Sequence, residues 1–270
     1  MCMRLLLTVV LLVSSAVAQH LGFDRNEYPG DSNLAKLRET FEYTGYWLNV
    51  PPGARTNTWI GKRKKVDGAG LGFVVLYNGK LYKQLKGAEA EEPGSADGLA
   101  AATQAKKEGF PKGTIIFLDQ EEGGRLLPEQ KEYLYAWVDA VIANGYRAGV
   151  YCSGIPVKEE DSGETINTAE DIKNDAGPRK IAYFIAQDSC PPSPGCVTNA
   201  PLPTESGIAF ADIWQFAQSP RRPEQTASCA KTYAADGDCY PAGLKLHVDL
   251  NTATSADPSG GRTILNKTAK

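Results

Sequence analysis

Eight short apolar runs, each bounded by turn residues, recur along this 270-residue chain, and their rhythm restricts the fold more than any other feature. Runs of this length with such punctuation read as strands, here over 21–24, 46–50, 71–77, 114–121, 147–153, 181–187, 211–216 and 245–251. Helical segments fall between several of them. Residues 34–41 follow Ser32-Asn33, which can cap a helix, and residues 98–107 are alanine-rich. Residues 128–144 open on proline, carry Leu134, Trp137, Val138 and Val141 at helical spacing, and stop at Asn144-Gly145. Residues 168–174 form the shortest such segment. Alternating strands and helices imply a parallel sheet, because parallel neighbours need crossover connections. Eight strands within one unit of about 250 residues predict an α/β, TIM-like (β/α)8 barrel rather than a doubly wound sheet. No G-x-G-x-x-G turn follows the first strand, which also counts against a dinucleotide fold. The last third departs from the ideal, since residues 188–210 and 218–243 are irregular and Pro-rich. Both segments follow strands, which predicts loops over the C-terminal face, where barrel active sites sit.

The N-terminus predicts export. Arg4 supplies a positive charge, Leu5 to Val13 are unbroken apolar residues, and Ala16-Val17-Ala18 offers a cleavage site. Residues 1–18 therefore read as a signal peptide and residues 19–270 as one barrel domain, secreted to an extracellular or periplasmic space. No later stretch reaches the ~20 apolar residues of a membrane span. Five cysteines remain after such a cleavage. Cys190 with Cys196 and Cys229 with Cys239 is the simplest pairing, each closing a short loop, although four cysteines allow three connectivities. Cys152 lies in an apolar strand and reads as a buried free thiol. A net charge of −3 leaves no basic surplus to displace counterions from phosphates, so nucleic acid is not an expected partner. The run Lys62-Arg63-Lys64-Lys65 reads as a solvated helix face. A monomer needing neither metal nor organic cofactor is expected.

Acidic residues recur where the strands end. Asp24 ends the first, Asp119 and Glu121 end the fourth, and Asp249 lies in the eighth. Residues two apart on a strand share a face, so Asp119 and Glu121 point with Ile115 and Phe117 into the barrel, while Glu122 is out of phase and solvated. Two carboxylates leaving an apolar strand side by side are costly unless one is neutralised. One raised and one ionised carboxyl is the pairing that acid-assisted glycoside cleavage requires. Only His20 and His247 are present, which makes a Ser-His-Asp triad or a two-histidine zinc hydrolase hard to build. Tyr46, Trp47, Tyr77, Tyr151 and Trp214, in or near strand ends, could stack on sugar rings.

These residues resemble a known pattern. Gly22-Phe23-Asp24 with Tyr28 and Gly30, Asp119-x-Glu121, Gly149-Val150-Tyr151, Trp214-Gln215-Phe216 and Val248-Asp249-Leu250-Asn251 follow the strand-end order of glycoside hydrolase family 25. Those are lysozymes that cleave N-acetylmuramoyl linkages in peptidoglycan. The chain is more closely similar to a secreted family of glycoside-hydrolase-like proteins first catalogued as a domain of unknown function. That family opens on G-F-D, has a Gly-Tyr/Phe second strand, starts a helix as at Asp97-Gly98, and carries an acidic fourth strand. The second strand, Gly45 to Pro52, departs from the lysozyme pattern. The resemblance implies Glu121 as general acid and Asp119 as nucleophile or orienter of an acetamido group. Asp24, Asp249, Tyr46, Tyr77, Tyr151, Trp214 and Gln215 would bind the sugar. Three readings stay open: a glycosidase acting on peptidoglycan or another N-acetylated polysaccharide, a non-catalytic saccharide-binding protein, and a structural barrel whose acids cap helices.

Overall fold

Alternating inward and outward side chains along the apolar runs close a barrel. The computed structural model describes residues 19–87, 89–188, 200–218, 244 and 246–263. Its strands are β1 (His20–Asp24), β2 (Tyr43–Trp47), β3 (Gly72–Asn78), β4 (Ile115–Asp119), β5 (Arg147–Ser153), the short β6 (Val157–Lys158) and β7 (Thr165–Ile166), then β8 (Ile181–Ala186), β9 (Ile213–Ala217) and β10 (Asp249–Ala253). Its helices are α1 (Leu34–Arg38), α2 (Arg63–Gly68), α3 (Tyr82–Leu85), α4 (Glu91–Glu108), α5 (Pro128–Ala143) and α6 (Thr168–Asp175). Around the barrel the order is β1-β2-β3-β4-β5-β8-β9-β10, with β10 returning to β1, while β6 and β7 form a separate ribbon.

The expected all-parallel barrel is corrected at its last strand. Neighbours from β1 to β9 run parallel, but β10 is antiparallel to both β9 and β1. A parallel return from β9 would need a crossover, and the sequence between them carries no helical periodicity. An antiparallel return needs none. Asp249 therefore begins its strand, and the register sets it opposite Asp24 at the barrel mouth.

Two strand ends also shift. β2 spans Tyr43–Trp47 instead of 46–50. Beyond Trp47 the backbone is held by side chains: Asn57 Nδ2 donates to the Trp47 and Asn49 carbonyls at 2.9 and 2.6 Å. β4 ends at Asp119, which leaves Glu121 on the loop just beyond the sheet.

Side-chain phase follows from close approaches inside the barrel. A Cβ on Gly149 would meet the Phe117 ring at 2.4 Å, so Phe117 occupies the interior that this glycine leaves open. Phe184 stands 6.1 Å from Phe117 and 4.9 Å from Tyr151, centroid to centroid, building an aromatic column toward the mouth. Outside, α4 lies against α5. Gly94 and Gly98 permit this, because a Cβ there would meet the Tyr133 and Trp137 carbonyl oxygens at 2.4 and 2.6 Å. Gly98 thus marks a helix contact inside α4 and not a helix start. Interior glycines normally destabilise a helix by about 1 kcal/mol each, an amount that the burial of the facing helix offsets.

The basic run starts α2, but only partly as expected. Lys64 and Lys65 are exposed, whereas Arg63 is buried and its Nη2 donates to the Gly261 carbonyl at 2.6 Å. Cys152 is a buried free thiol on the outer face of β5, and burial pushes its pKa far up. Cys190, Cys196, Cys229, Cys239 and the expected signal peptide lie outside the described residues. No described helix is long and apolar enough to cross a membrane.

Candidate active site

Strand ends bring seven of the residues singled out from the sequence into one cavity of about 300 Å³ at the barrel mouth: Asp24, Trp47, Asp119, Glu121, Tyr151, Gln215 and Asp249. Asp24 is the inward residue at the end of β1. Gly45 on β2 makes room for it, since a Cβ there would meet the Asp24 Cβ at 2.6 Å. Gln215 organises one wall. Its Oε1 accepts from Tyr151 Oη at 2.8 Å and from Gln218 Nε2 at 3.2 Å. Its Nε2 donates to Asp24 Oδ2 at 3.0 Å and to Asp249 Oδ2 at 3.4 Å. Asn251 Nδ2 donates a second bond to Asp24 Oδ2 at 2.9 Å. Neutral amides thus separate two carboxylates without cancelling their charge.

The carboxyl groups differ in environment. Asp24 is buried, which raises its pKa from the ordinary range to about 6; the two amide donors pull against that rise, and the Glu121 charge adds to it. Asp119 is 3% exposed and its pKa is raised well above the usual range, first by burial and then by Glu121 and Asp24. Neither Asp119 oxygen meets a regular hydrogen-bond donor. Its close polar neighbour is Glu121, and two carboxyls attract only when a proton lies between them. Burial and the two neighbouring carboxyls therefore favour the protonated form of Asp119. Glu121, on the loop beyond β4, is exposed at the mouth. Burial and the surrounding carboxylates raise the Tyr151 phenol far up, so it stays a neutral donor to Gln215.

Three expected aromatics lie elsewhere. Tyr46 faces the helix layer, 0% exposed, with its ring against Trp59, Phe73 and Phe110 and its hydroxyl donating to Glu108. Trp214 sits on the face of β9 opposite Gln215, packs on Phe216 and donates from Nε1 to the Gln187 carbonyl at 2.8 Å. Tyr77 leans on Trp137 of α5 and borders an adjoining depression, with its hydroxyl 3.4 Å from Asp97. Trp47, one residue from Tyr46 and in the opposite phase, is the β2 aromatic that lines the cavity. Asn251 is a further participant; its only cue was its place beside Asp249 in the last strand, because its partner Asp24 is 227 residues away.

Glu122 departs from the solvated expectation. Its Oε2 accepts from the Tyr82 amide at 2.6 Å, at the start of α3, and from Gln130 Nε2 at 2.7 Å, on α5. Among the described residues no group of three or more His, Cys, Asp or Glu is arranged to hold a metal ion.

The cavity continues on both sides. A depression of about 570 Å³ shares Pro52 and Glu121 with it. Another of about 470 Å³ shares Asn26, Pro52 and Asp249. All three adjoin at Pro52, so the carboxylate cavity opens into a larger groove at the mouth, with room for more than one sugar unit.

A family model described as Rv2525c-like, glycoside hydrolase-like domain matches residues 54–199. No curated protein matches the chain. Among solved structures it is similar to an uncharacterized B. stearothermophilus protein, at 17% identity and TM-score 0.52, covering 87% of this chain and 95% of that one. It is also similar to the Mycobacterium tuberculosis Tat-secreted protein Rv2525c, seen in complex with HEPES, at 12% identity and TM-score 0.51, covering 91% of this chain and 98% of that one. At such identities the likeness is one of fold.

Proposed function

Since this chain belongs to the Rv2525c-like, glycoside hydrolase-like domain family, we propose that it is a secreted, lysozyme-like glycoside hydrolase acting on peptidoglycan or another N-acetylated polysaccharide. One observation carries the reading: a buried Asp119, whose surroundings favour its protonated form, beside an exposed Glu121 that borders both the central cavity and the depression of about 570 Å³. A structural barrel gains nothing from a buried carboxyl without donors, which destabilises the fold. The helix-capping acid of this loop is its neighbour Glu122.

The two carboxyls share one proton and titrate as a unit. Asp119 holds it on the floor of the cavity, and Glu121 is the member placed to present it to a sugar oxygen in the groove. A bound glycan covers Glu121, and this desolvation draws the proton toward it. The pair gives that proton to the leaving oxygen as the anomeric C–O bond breaks. It recovers a proton from the water that adds to the anomeric carbon. Asp24, held by Gln215 and Asn251, and Asp249 flank the reacting centre, accept sugar hydroxyls and favour developing positive charge.

The test is incubation of the full chain with purified peptidoglycan and with chitin oligomers, reading new reducing ends and product masses. Release of oligosaccharides by the parent supports hydrolysis. Saturable binding with no release over many hours replaces it with the saccharide-binding reading.

A further inference from the structure

The groove is asymmetric in charge. Its centre carries the carboxylates of Asp24, Asp119, Glu121 and Asp249. In the arm of about 570 Å³ the cation Lys80 is already paired with Asp97 at 2.9 Å. The arm of about 470 Å³ is lined by Arg25, together with Asn26, Glu27, His247 and Asp249. Arg25 follows Asp24 on the same strand end, so the two side chains leave on opposite sides. Its backbone is pinned, because Trp47 Nε1 donates to its carbonyl at 3.2 Å.

The Arg25 guanidinium is poorly satisfied. The side chain is 16% exposed, and Nε and Nη1 are shut away from solvent without an acceptor. Nη2 comes only within 3.6 Å of Glu27, which is 75% exposed, and burial lowers the pKa of the guanidinium. Two ion-paired arginines of the same chain look different, whereas Arg63, whose Nε also lacks an acceptor, is held through Nη2 by Gly261 and Thr263. Arg179 grips Asp139 with two bonds of 2.9 and 2.7 Å, and Arg125 takes Glu159 and Glu164 at 2.7 and 2.8 Å. A half-buried fork without a matched anion destabilises a fold, and a ligand carboxylate taking the place of Glu27 at Nη2 relieves it in part.

We propose that Arg25 forms an acid-recognising subsite next to the reacting centre, so that the glycan this groove takes carries carboxylate groups. The inference rests on the glycan-cleaving reading above and names its substrate class. Like-charge repulsion keeps an acidic substituent out of the central cavity, and Arg25 accepts it one arm away. Charge thus sets the register in which the polymer lies across the Asp119/Glu121 pair. Glu27, exposed and loosely held, swings aside as the carboxylate enters.

The probes are a peptidoglycan-derived tetrasaccharide with free lactyl carboxylates and the same oligomer with those carboxyls reduced to alcohols. Titration calorimetry on the full chain gives the two affinities. The parent is expected to bind the acidic oligomer about 10- to 100-fold more tightly. Arg25→Gln is expected to erase that preference while leaving affinity for the reduced oligomer unchanged, and Arg25→Lys to keep part of it. A role confined to structure would not move this ratio. Arg25→Met is expected to raise the melting temperature by about 2–4 °C, since an unmatched buried charge is removed; a fall would mark Arg25 as a structural residue. Equal affinity of the parent for both oligomers overturns the subsite, as does a preference that survives Arg25→Gln. Cleavage without charge preference overturns the subsite alone, and charge-selective binding without cleavage overturns hydrolysis alone. Binding of neither oligomer overturns both.

Discussion

The two ends of the barrel treat their polar groups in opposite ways. At the floor, the chain after β10 folds under the sheet and ties its side chains to backbone groups. Asp257 Oδ1 accepts from the Phe73 and Gly261 amides at 2.9 and 3.1 Å, and its Oδ2 accepts from the Arg262 amide at 2.9 Å. Ser259 Oγ accepts from the Val75 amide at 2.9 Å, and Arg63 Nη2 donates to the Gly261 carbonyl at 2.6 Å. The fit is tight, for a Cβ on Gly72 would meet the Ala256 carbonyl oxygen at 2.0 Å. At the mouth, by contrast, Asp119 has no donor other than the proton it shares with Glu121, and Arg25 Nε and Nη1 have no acceptor. Apart from Arg63 Nε, the groups of this floor cluster are matched while carboxyl and guanidinium atoms at the mouth are not, which separates stability from ligand chemistry within one sheet.

Breaking the mouth should abolish turnover and leave the fold intact. Glu121→Gln keeps the shape but cannot deliver a proton, so hydrolysis should fall by roughly 10²–10⁴ with binding nearly unchanged. Asp119→Asn replaces a carboxyl whose surroundings favour its neutral form. It should also slow hydrolysis while shifting the melting temperature little, and it should move the alkaline limb of the rate profile to lower pH, because the last proton of the pair then leaves without a second carboxylate beside it. Strong destabilisation by Asp119→Asn would mean that the Asp119 carboxyl is ionised and structural. Initial rates across pH, with melting curves on the same samples, decide between these outcomes.

Breaking the floor should do the reverse. Asp257→Ala leaves three backbone amides without their acceptor and should destabilise the chain by about 3 kcal/mol. Turnover per folded molecule should stay at the parental level. Urea titration measures the first effect, and rates normalised to the folded fraction measure the second. A loss of specific activity would show that floor and mouth are coupled through β3 and β4.

The same contrast explains what the sequence reveals. Inward acids at strand ends are visible because an apolar run ending in Asp119-Gln120-Glu121 has few structural reasons to exist. The direction of β10 is hidden, since a period of two reads the same both ways and only the missing crossover hints at an antiparallel return. The phase of β2 is equally ambiguous in Tyr46-Trp47-Leu48. It is set by Gly45 fitting against Asp24, a contact between strands, and this turns Trp47 rather than Tyr46 inward. Arg25, Asn251 and the amide wall of Gln215 belong to the same class, because their meaning lies in neighbours far along the chain.

A gentler probe of the mouth is pH alone. Asp24 has a folded-state pKa of about 6 against an ordinary value near 3.8. A raised carboxyl pKa favours the folded state when protonated. That stabilisation is complete below about pH 4 and is lost as pH rises through 6. Between pH 7.5 and pH 5 the chain should therefore gain about 1 kcal/mol, seen as a rise of roughly 3 °C in melting temperature. Asp24→Asn should flatten this slope. A steeper loss below pH 4 belongs to acids such as Asp31 and Glu159, whose pKa values hydrogen-bonding partners hold down.

The finest test lies in two adjacent residues. Glu121 and Glu122 are chemically identical and follow each other in the chain, yet they face different environments. Glu121 lines the groove, while Glu122 accepts from the Tyr82 amide and from Gln130 and so ties the starts of α3 and α5 together. A carboxamide at 122 keeps one acceptor oxygen for the Tyr82 amide but loses the charge that favours a helix N-terminus. Glu122→Gln should therefore lower stability by about 0.5–1 kcal/mol and leave hydrolysis at the parental rate. If Glu122→Gln is the inactive variant and Glu121→Gln is not, the residue facing the glycan is the one now seen capping α3. The loop after Asp119 would then have to rotate by one residue when substrate binds. Measuring both variants side by side, by rate and by melting temperature, separates that rearrangement from the division of labour that the apo geometry supports.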